Sequence, residues 1–158
     1  MACSSAGALE VVHVDAAKGM VEWAKENMNL SNLNDNHIRF IVDDCLKFVQ
    51  REARRGRKYD AIIMDPPSYG RGPNGEVWKF EHNLYNLINA CMKILSDKPL
   101  FYIINTYTTG YSPVAMKNIL RRHLEEKGLK GNIEVDEIGI RIKESDYTLP
   151  CGQVSRFY

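Results

Sequence analysis

A carboxylate and two prolines, Asp65-Pro66-Pro67, run into Ser68-Tyr69-Gly70 directly after the mostly apolar stretch Tyr59-Asp60-Ala61-Ile62-Ile63-Met64. Each proline fixes its own φ angle and carries no amide proton, so this loop is stiff and rich in acceptors. The carbonyls of Asp65 and Pro66 can then take hydrogen bonds from a substrate amino group. The apolar stretch reads as a buried strand, and ligands of open α/β sheets bind outside the carboxyl ends of such strands. A plain proline-rich turn after a strand is the competing reading of the same residues.

The elements around the loop alternate between strand and helix. Leu9–Val14 reads as a strand ending at Asp15, and a helix follows over 17–28, with Met20, Ala24 and Met28 four residues apart. Asn32–Asn36 is a polar loop. His37–Val42 is a second strand, after which Asp43 or Asp44 caps a helix reaching Arg55. Beyond the Asp65 loop, Gly70-Arg71-Gly72-Pro73-Asn74-Gly75 reads as a flexible connection. Leu84, Leu87, Ile88, Cys91 and Leu95 mark a helix over 81–95, and Leu100–Asn105 is a buried strand. Ser112-Pro113 caps and opens another helix, which Gly128 ends. Residues 133–142 and 153–157 form a closing antiparallel pair with no helix between them. The pattern predicts one α/β domain over residues 1–158, with a mostly parallel, doubly wound sheet and a C-terminal antiparallel strand pair.

Composition excludes several classes. The formal net charge of +1 provides no bulk attraction to nucleic acid or membrane. No apolar run is long enough to span a bilayer, and the N-terminus lacks a basic-then-apolar signal. Cys3, Cys45, Cys91 and Cys151 are scattered, without a CxxC pair or clustered histidines, so they read as reduced thiols in a cytoplasmic protein with no metal site.

The phrases Val12-His13-Val14-Asp15, Val42-Asp43-Asp44-Cys45, the Asp65 loop and Leu149-Pro150-Cys151-Gly152 resemble the class I, Rossmann-like S-adenosylmethionine-dependent methyltransferases over nearly the whole chain. Asp65-Pro66-Pro67-Ser68-Tyr69-Gly70-Arg71-Gly72 resembles, more narrowly, the bacterial family of large-subunit ribosomal RNA methyltransferases. The resemblance implies S-adenosylmethionine as cofactor and RNA as partner. It assigns Asp15, with Ala16 beside it, to the cofactor's ribose hydroxyls, although Asp15 also suits a helix cap. It assigns Asp44 to the adenine amino group and the Cys45 amide to a ring nitrogen, with Asp43 competing for the carboxylate's part. Asp65 and Pro66 would receive the target's amino protons, and Tyr69 would stack on the target base or be an ordinary loop aromatic. Transfer from a sulfonium needs alignment more than acid–base chemistry, which fits a chain without a Ser/His/Asp or Cys/His constellation.

Two departures shape these expectations. Carbon-5 methylation of cytosine needs a cysteine nucleophile, and relatives with that activity carry it after the family's fifth strand. Here that place reads Asn105-Thr106-Tyr107-Thr108-Thr109, and Ser68 stands in the other loop, so a nitrogen target is favoured. Asp15 also lies too near the start for the family's first strand and glycine-rich loop to precede it. The chain therefore reads as a partial catalytic domain without an upstream RNA-binding domain, inactive by itself. Losing a central strand exposes the edges of its two neighbours. Two copies then associate through those edges as a homodimer, or the family's second and fourth strands pair directly. The basic run Arg51, Arg54, Arg55, Arg57, Lys58 contacts RNA phosphates or is a solvated helix end. A methyltransferase of a small molecule or protein, and a non-catalytic Rossmann-like module, are the alternative functions.

Overall fold

A computed structural model describes residues 1–71, 75–108 and 110–158; Gly72, Pro73, Asn74 and Thr109, which fall in two of the loops read above, lie outside the described residues. The chain forms two compact units, Met1–Arg51 and Glu52–Tyr158.

In the first unit a single turn, α1 (Ala2–Ser5), precedes β1 (Val11–Asp15), α2 (Lys18–Leu30) and β2 (Ile38–Val42). The two strands pair in parallel, from Val11 opposite Ile38 to Asp15 opposite Val42. β-Branched and aromatic residues fill both strands, which suits a pleated surface. The Asn36 side chain donates to the Ser4 carbonyl at 3.1 Å and the Ser4 hydroxyl at 2.8 Å, tying the loop before β2 back to α1. On α2 the inward stripe is Val21, Ala24 and Met28, while Met20 is exposed. The expected stripe is thus shifted by one residue at its start, because Val21 continues the three-and-four spacing that Ala24 and Met28 set. The helix α3 (Cys45–Arg54) follows β2.

The second unit begins at Glu52, in the last turns of α3, and its first strand is β3 (Ala61–Met64). A short hairpin of β4 (Tyr69–Arg71) and β5 (Val77–Lys79) follows, then α4 (Phe80–Ile94), β6 (Phe101–Thr106), α5 (Pro113–Glu126), β7 (Ile133–Arg141) and β8 (Thr148–Phe157). The main sheet runs β3-β6-β8-β7: β3 and β6 are parallel, whereas β8 is antiparallel to both β6 and β7. The closing strand pair is as expected.

Its two faces are unequal. Tyr102, Ile104 and Thr106 of β6 are fully buried, as are Phe80, Leu84 and Ile88 of α4 and Met116, Leu120 and Leu124 of α5. On the other face Ile63, opposite Ile103, is 54 % exposed. Leu100 lies before β6 and is exposed, so that strand starts one residue later than expected. Burial drives the Tyr102 phenol well above its ordinary pKa, with the nearby Cys91 adding to the effect; its hydroxyl lies 3.1 Å from Met64 Sδ. Ser112 caps α5 by accepting from the Ala115 amide at 3.2 Å, Pro113 opens the helix, and Gly128 leaves it at φ +78°.

Two sequence expectations change. Gly70 and Arg71 are not loop but strand, paired with Trp78 and Val77. Strands of three residues, one of them with a glycine opposite a tryptophan, are too short for alternation to show. Direct pairing of the family's second and fourth strands does not occur, since β1 ladders with β2, β3 with β6, and the two pairs belong to separate sheets.

The bulge in the terminal hairpin falls where Gly139 pairs with Pro150 and Ile138 with Gly152, leaving Cys151 as the extra residue. A side chain at Gly152 would meet the Thr106 carbonyl at 2.6 Å and the Tyr107 ring at 2.8 Å. Gly152→Val is therefore expected to prise β8 from the end of β6 and destabilise the fold by about 2 kcal/mol or more, read as a lower urea midpoint.

Candidate active site

Acidic side chains gather at the carboxyl ends of β1 and β2. Asp15 closes β1, and its Oδ1 accepts from the Ala17 amide at 2.7 Å, a local turn bond that starts α2. The backbone carbonyl of Asp15 accepts from the Asp43 amide at 3.1 Å, so the two strand ends are tied together. The neighbouring acids then divide their work. Asp43 accepts the Asp44 amide at 2.9 Å on Oδ1 and pairs through Oδ2 with Arg51. Asp44 caps α3, its Oδ1 accepting from the Lys47 amide at 2.8 Å. Both aspartates thus have cap-like duties that the sequence offered as alternatives to ligand binding.

Capping and ligand binding are compatible here. An ionised carboxylate has two oxygens and about four lone-pair directions. Asp15 and Asp44 each use Oδ1 in a local bond, which still leaves the chemistry for accepting hydroxyl or amino protons at the strand ends. Ala16 follows Asp15 in an exposed position. Cys45 is the first residue of α3, its Sγ 3.7 Å from the Val14 carbonyl, and amides of a first helical turn have no acceptor inside the helix. Carboxylate acceptors beside amide donors at a helix start are the set of partners that a nucleoside's hydroxyls and base edge require.

In the second unit the Asp65 loop leaves the end of β3. Pro66 is buried, while Asp65, Pro67 and Ser68 are exposed. Three bonds hold this stretch: the Trp78 indole N–H donates to the Pro67 carbonyl at 2.6 Å, the Phe80 amide donates to the Ser68 carbonyl at 3.1 Å, and the Ser68 and Thr108 hydroxyls lie 2.8 Å apart. Tyr69 starts β4 and is half exposed. The Arg71 Nε–H donates to its hydroxyl at 2.8 Å, and the guanidinium lies 6.0 Å from the ring centroid. A half-exposed ring with a cation at its hydroxyl end can serve as a stacking platform. Trp78 and Thr108 escaped sequence reasoning; the only cue for the former was Val77-Trp78 emerging from a glycine-rich stretch.

The basic run is organised around a buried acid. Glu52 on α3 is 1 % exposed; its Oε2 accepts from the Tyr59 hydroxyl at 2.6 Å and its Oε1 from Arg55 at 3.0 Å, with Arg57 Nε at 3.9 Å from Oε2. Lys58 donates to the Lys93 carbonyl at 2.9 Å, and Arg51 pairs with Asp43. Most of the run thus has partners within the fold, while Arg55 and Arg57 stay more than half exposed at the end of α3. Among the described residues, no cluster of three or more His, Cys, Asp or Glu side chains is placed to hold a metal ion, and no helix is long and apolar enough to cross a membrane.

These strand ends and this sheet define a Rossmann-like domain of the S-adenosylmethionine-dependent methyltransferase fold. By sequence the chain belongs to the spermine/spermidine synthase domain family, whose model matches residues 7–123. It resembles the ribosomal RNA large subunit methyltransferase K of Neisseria meningitidis, 25 % identical over 65 % of this chain and 29 % of that protein. It also resembles the large subunit methyltransferase I of Tolumonas auensis, 36 % identical over 54 % of this chain and 19 % of that protein. The chain thus spans less than a third of the length of these curated relatives. Among solved structures, an S-adenosylmethionine-dependent methyltransferase from Agrobacterium tumefaciens superposes with a TM-score of 0.89 at 39 % identity, over 98 % of this chain and 50 % of that one. A structure described as a methyltransferase complexed with SAH matches at a TM-score of 0.71 and 21 % identity, over 96 % of this chain and 40 % of that one, which is a likeness of fold.

Proposed function

We propose that this chain is the catalytic part of a cytoplasmic S-adenosylmethionine-dependent methyltransferase acting on a ribosomal RNA base, with a nitrogen as the methylated atom. The observation that carries the reading is the Asp65-Pro66-Pro67 loop at the carboxyl end of β3, a rigid acceptor loop next to an exposed, arginine-backed tyrosine. When bound, S-adenosylmethionine supplies a methyl group made reactive by its positive sulfur. Asp15 and Ala16 hold the ribose end, and Asp44 and Cys45 the adenine. Asp65 and Pro66 receive the protons of the acceptor amine and so orient its lone pair, while Tyr69 stacks on the base. The names of the curated relatives support RNA as the substrate class.

The test is transfer of tritiated methyl groups by the chromosomally encoded protein to protein-free large-subunit RNA, compared with small-molecule and protein fractions. Label in RNA supports the reading. Label confined to small amines would replace it with a small-molecule methyltransferase, the reading that the spermine/spermidine synthase family match favours.

For the 158-residue chain by itself, which spans less than a third of its curated relatives' length, we propose weak cofactor binding and little turnover. Calorimetric titration with S-adenosylhomocysteine is expected to give no saturable binding; tight binding would overturn this. We also propose that copies pair through the one-sided strands β1 and β3. Light scattering is then expected to return twice the mass of 18.1 kDa, and a folded monomer at all concentrations would remove the dimer.

A further inference from the structure

The Asp65 loop has an unusual difficulty. Its two consecutive prolines provide no amide donors, so the loop cannot fasten itself through its own N–H groups at those positions. Its carbonyls must instead be held by donors from elsewhere. The hairpin that follows brings such a donor. Trp78 pairs with Gly70, three residues beyond Pro67, and the indole N–H reaches back to the Pro67 carbonyl at 2.6 Å. A Cβ at Gly70 would meet Trp78 Cβ at 3.7 Å and the Pro67 ring at 4.0 Å, ordinary van der Waals contact, so the hairpin packs closely on the loop without depending on the glycine. Trp78 itself is half-buried against the loop.

We propose that Trp78 is a positioning residue for methyl transfer, an inference that rests on the methyltransferase reading above. An indole N–H can only donate. By holding the Pro67 carbonyl it fixes the Pro67–Ser68 peptide and, through the locked φ angle of Pro67, constrains the direction in which the Pro66 carbonyl and the Asp65 carboxylate face the acceptor amine. The Phe80 amide on the Ser68 carbonyl and the Ser68–Thr108 hydroxyl contact hold the next residue, so the loop is gripped at two successive positions. The hairpin of β4 and β5 also carries Tyr69 and Arg71. One element therefore both presents the stacking ring and sets the acceptor loop, which couples base placement to the aim of the amine.

The experiment compares Trp78→Phe, which keeps an aromatic ring but loses the N–H and part of the indole's bulk, with Trp78→Ala. The chromosomally encoded protein is assayed on protein-free large-subunit RNA, alongside hydrogen exchange of the 62–71 segment and S-adenosylhomocysteine affinity. Trp78→Phe is expected to lower kcat about tenfold and speed exchange in 62–71, with thermal midpoint and cofactor affinity unchanged. Full activity in Trp78→Phe beside a dead or unfolded Trp78→Ala would overturn the proposal, since the indole would then only fill space. Unaltered exchange in Trp78→Phe would overturn it as well. A wild-type protein that methylates no fraction would instead bring down the transferase reading, and this role with it.

Discussion

Replacing Glu52 with alanine is expected to lower the unfolding free energy by about 3 kcal/mol, the largest loss from any single polar side chain in the molecule. The carboxylate is 1 % exposed and gathers the Tyr59 hydroxyl, Arg55 and Arg57. Its removal leaves a half-buried tyrosine hydroxyl without this acceptor and releases two guanidinium groups that it holds near one another. The arginines are more than half exposed and can rehydrate, which keeps the loss at the lower end for a broken buried pair. Arg54→Ala, at an exposed position of the same basic run, is expected to change stability by less than about 0.5 kcal/mol. Urea denaturation of the three proteins checks both expectations. Equal midpoints for Glu52→Ala and wild type would mean that water serves Tyr59 as well as the carboxylate does.

The second large effect concerns turnover. In the chromosomally encoded protein, Asp65→Asn keeps the shape of the side chain but places an amide donor where, in the proposed reading, an acceptor faces the substrate amine. A drop in kcat of about 100-fold is expected, at an unchanged affinity for S-adenosylhomocysteine, because misaimed reacting groups lose about that much rate. Tyr69→Ala should behave differently, raising KM for RNA about tenfold while leaving kcat within about threefold, as loss of one stacked base would. The split between the two variants separates aim from grip. If Asp65→Asn turns over normally, the carboxylate is only a loop residue.

Much of this architecture was open to reading from residue order. The apolar stretches before Asp15, Asp43 and Asp65 are bounded by acids and prolines, so their identity as strands and their carboxyl ends were plain, whereas Leu9, Glu10, His37, Tyr59 and Asp60, read as strand, lie before the strands begin. Ser112-Pro113 and Gly128 bracket α5 because caps are local chemistry that a short peptide already contains. The β4–β5 hairpin was opaque for the opposite reason. Its stability comes from the pairing of Gly70 with Trp78 and from an indole bond to a residue eleven positions away, neither of which leaves a periodic trace. Glu52 is the same kind of case: a glutamate inside a basic run looks like an exposed helix face until Tyr59 and two arginines fold over it. Asp15 and Asp44 were found as candidate ligands, and their local capping bonds show why sequence left two readings open, since both duties use the same strand-end position.

Two successive residues without backbone N–H also have a spectroscopic meaning. Pro66 and Pro67 give no cross-peaks in amide-detected magnetic resonance, so the centre of the acceptor loop is silent in the spectra usually recorded first. The chain has two tryptophans, Trp23 on the exposed face of α2 and Trp78. Their indole protons resonate apart from the backbone, as two isolated signals. One of them is bonded to the Pro67 carbonyl, which makes a single side-chain peak the natural probe of a loop that cannot report on itself.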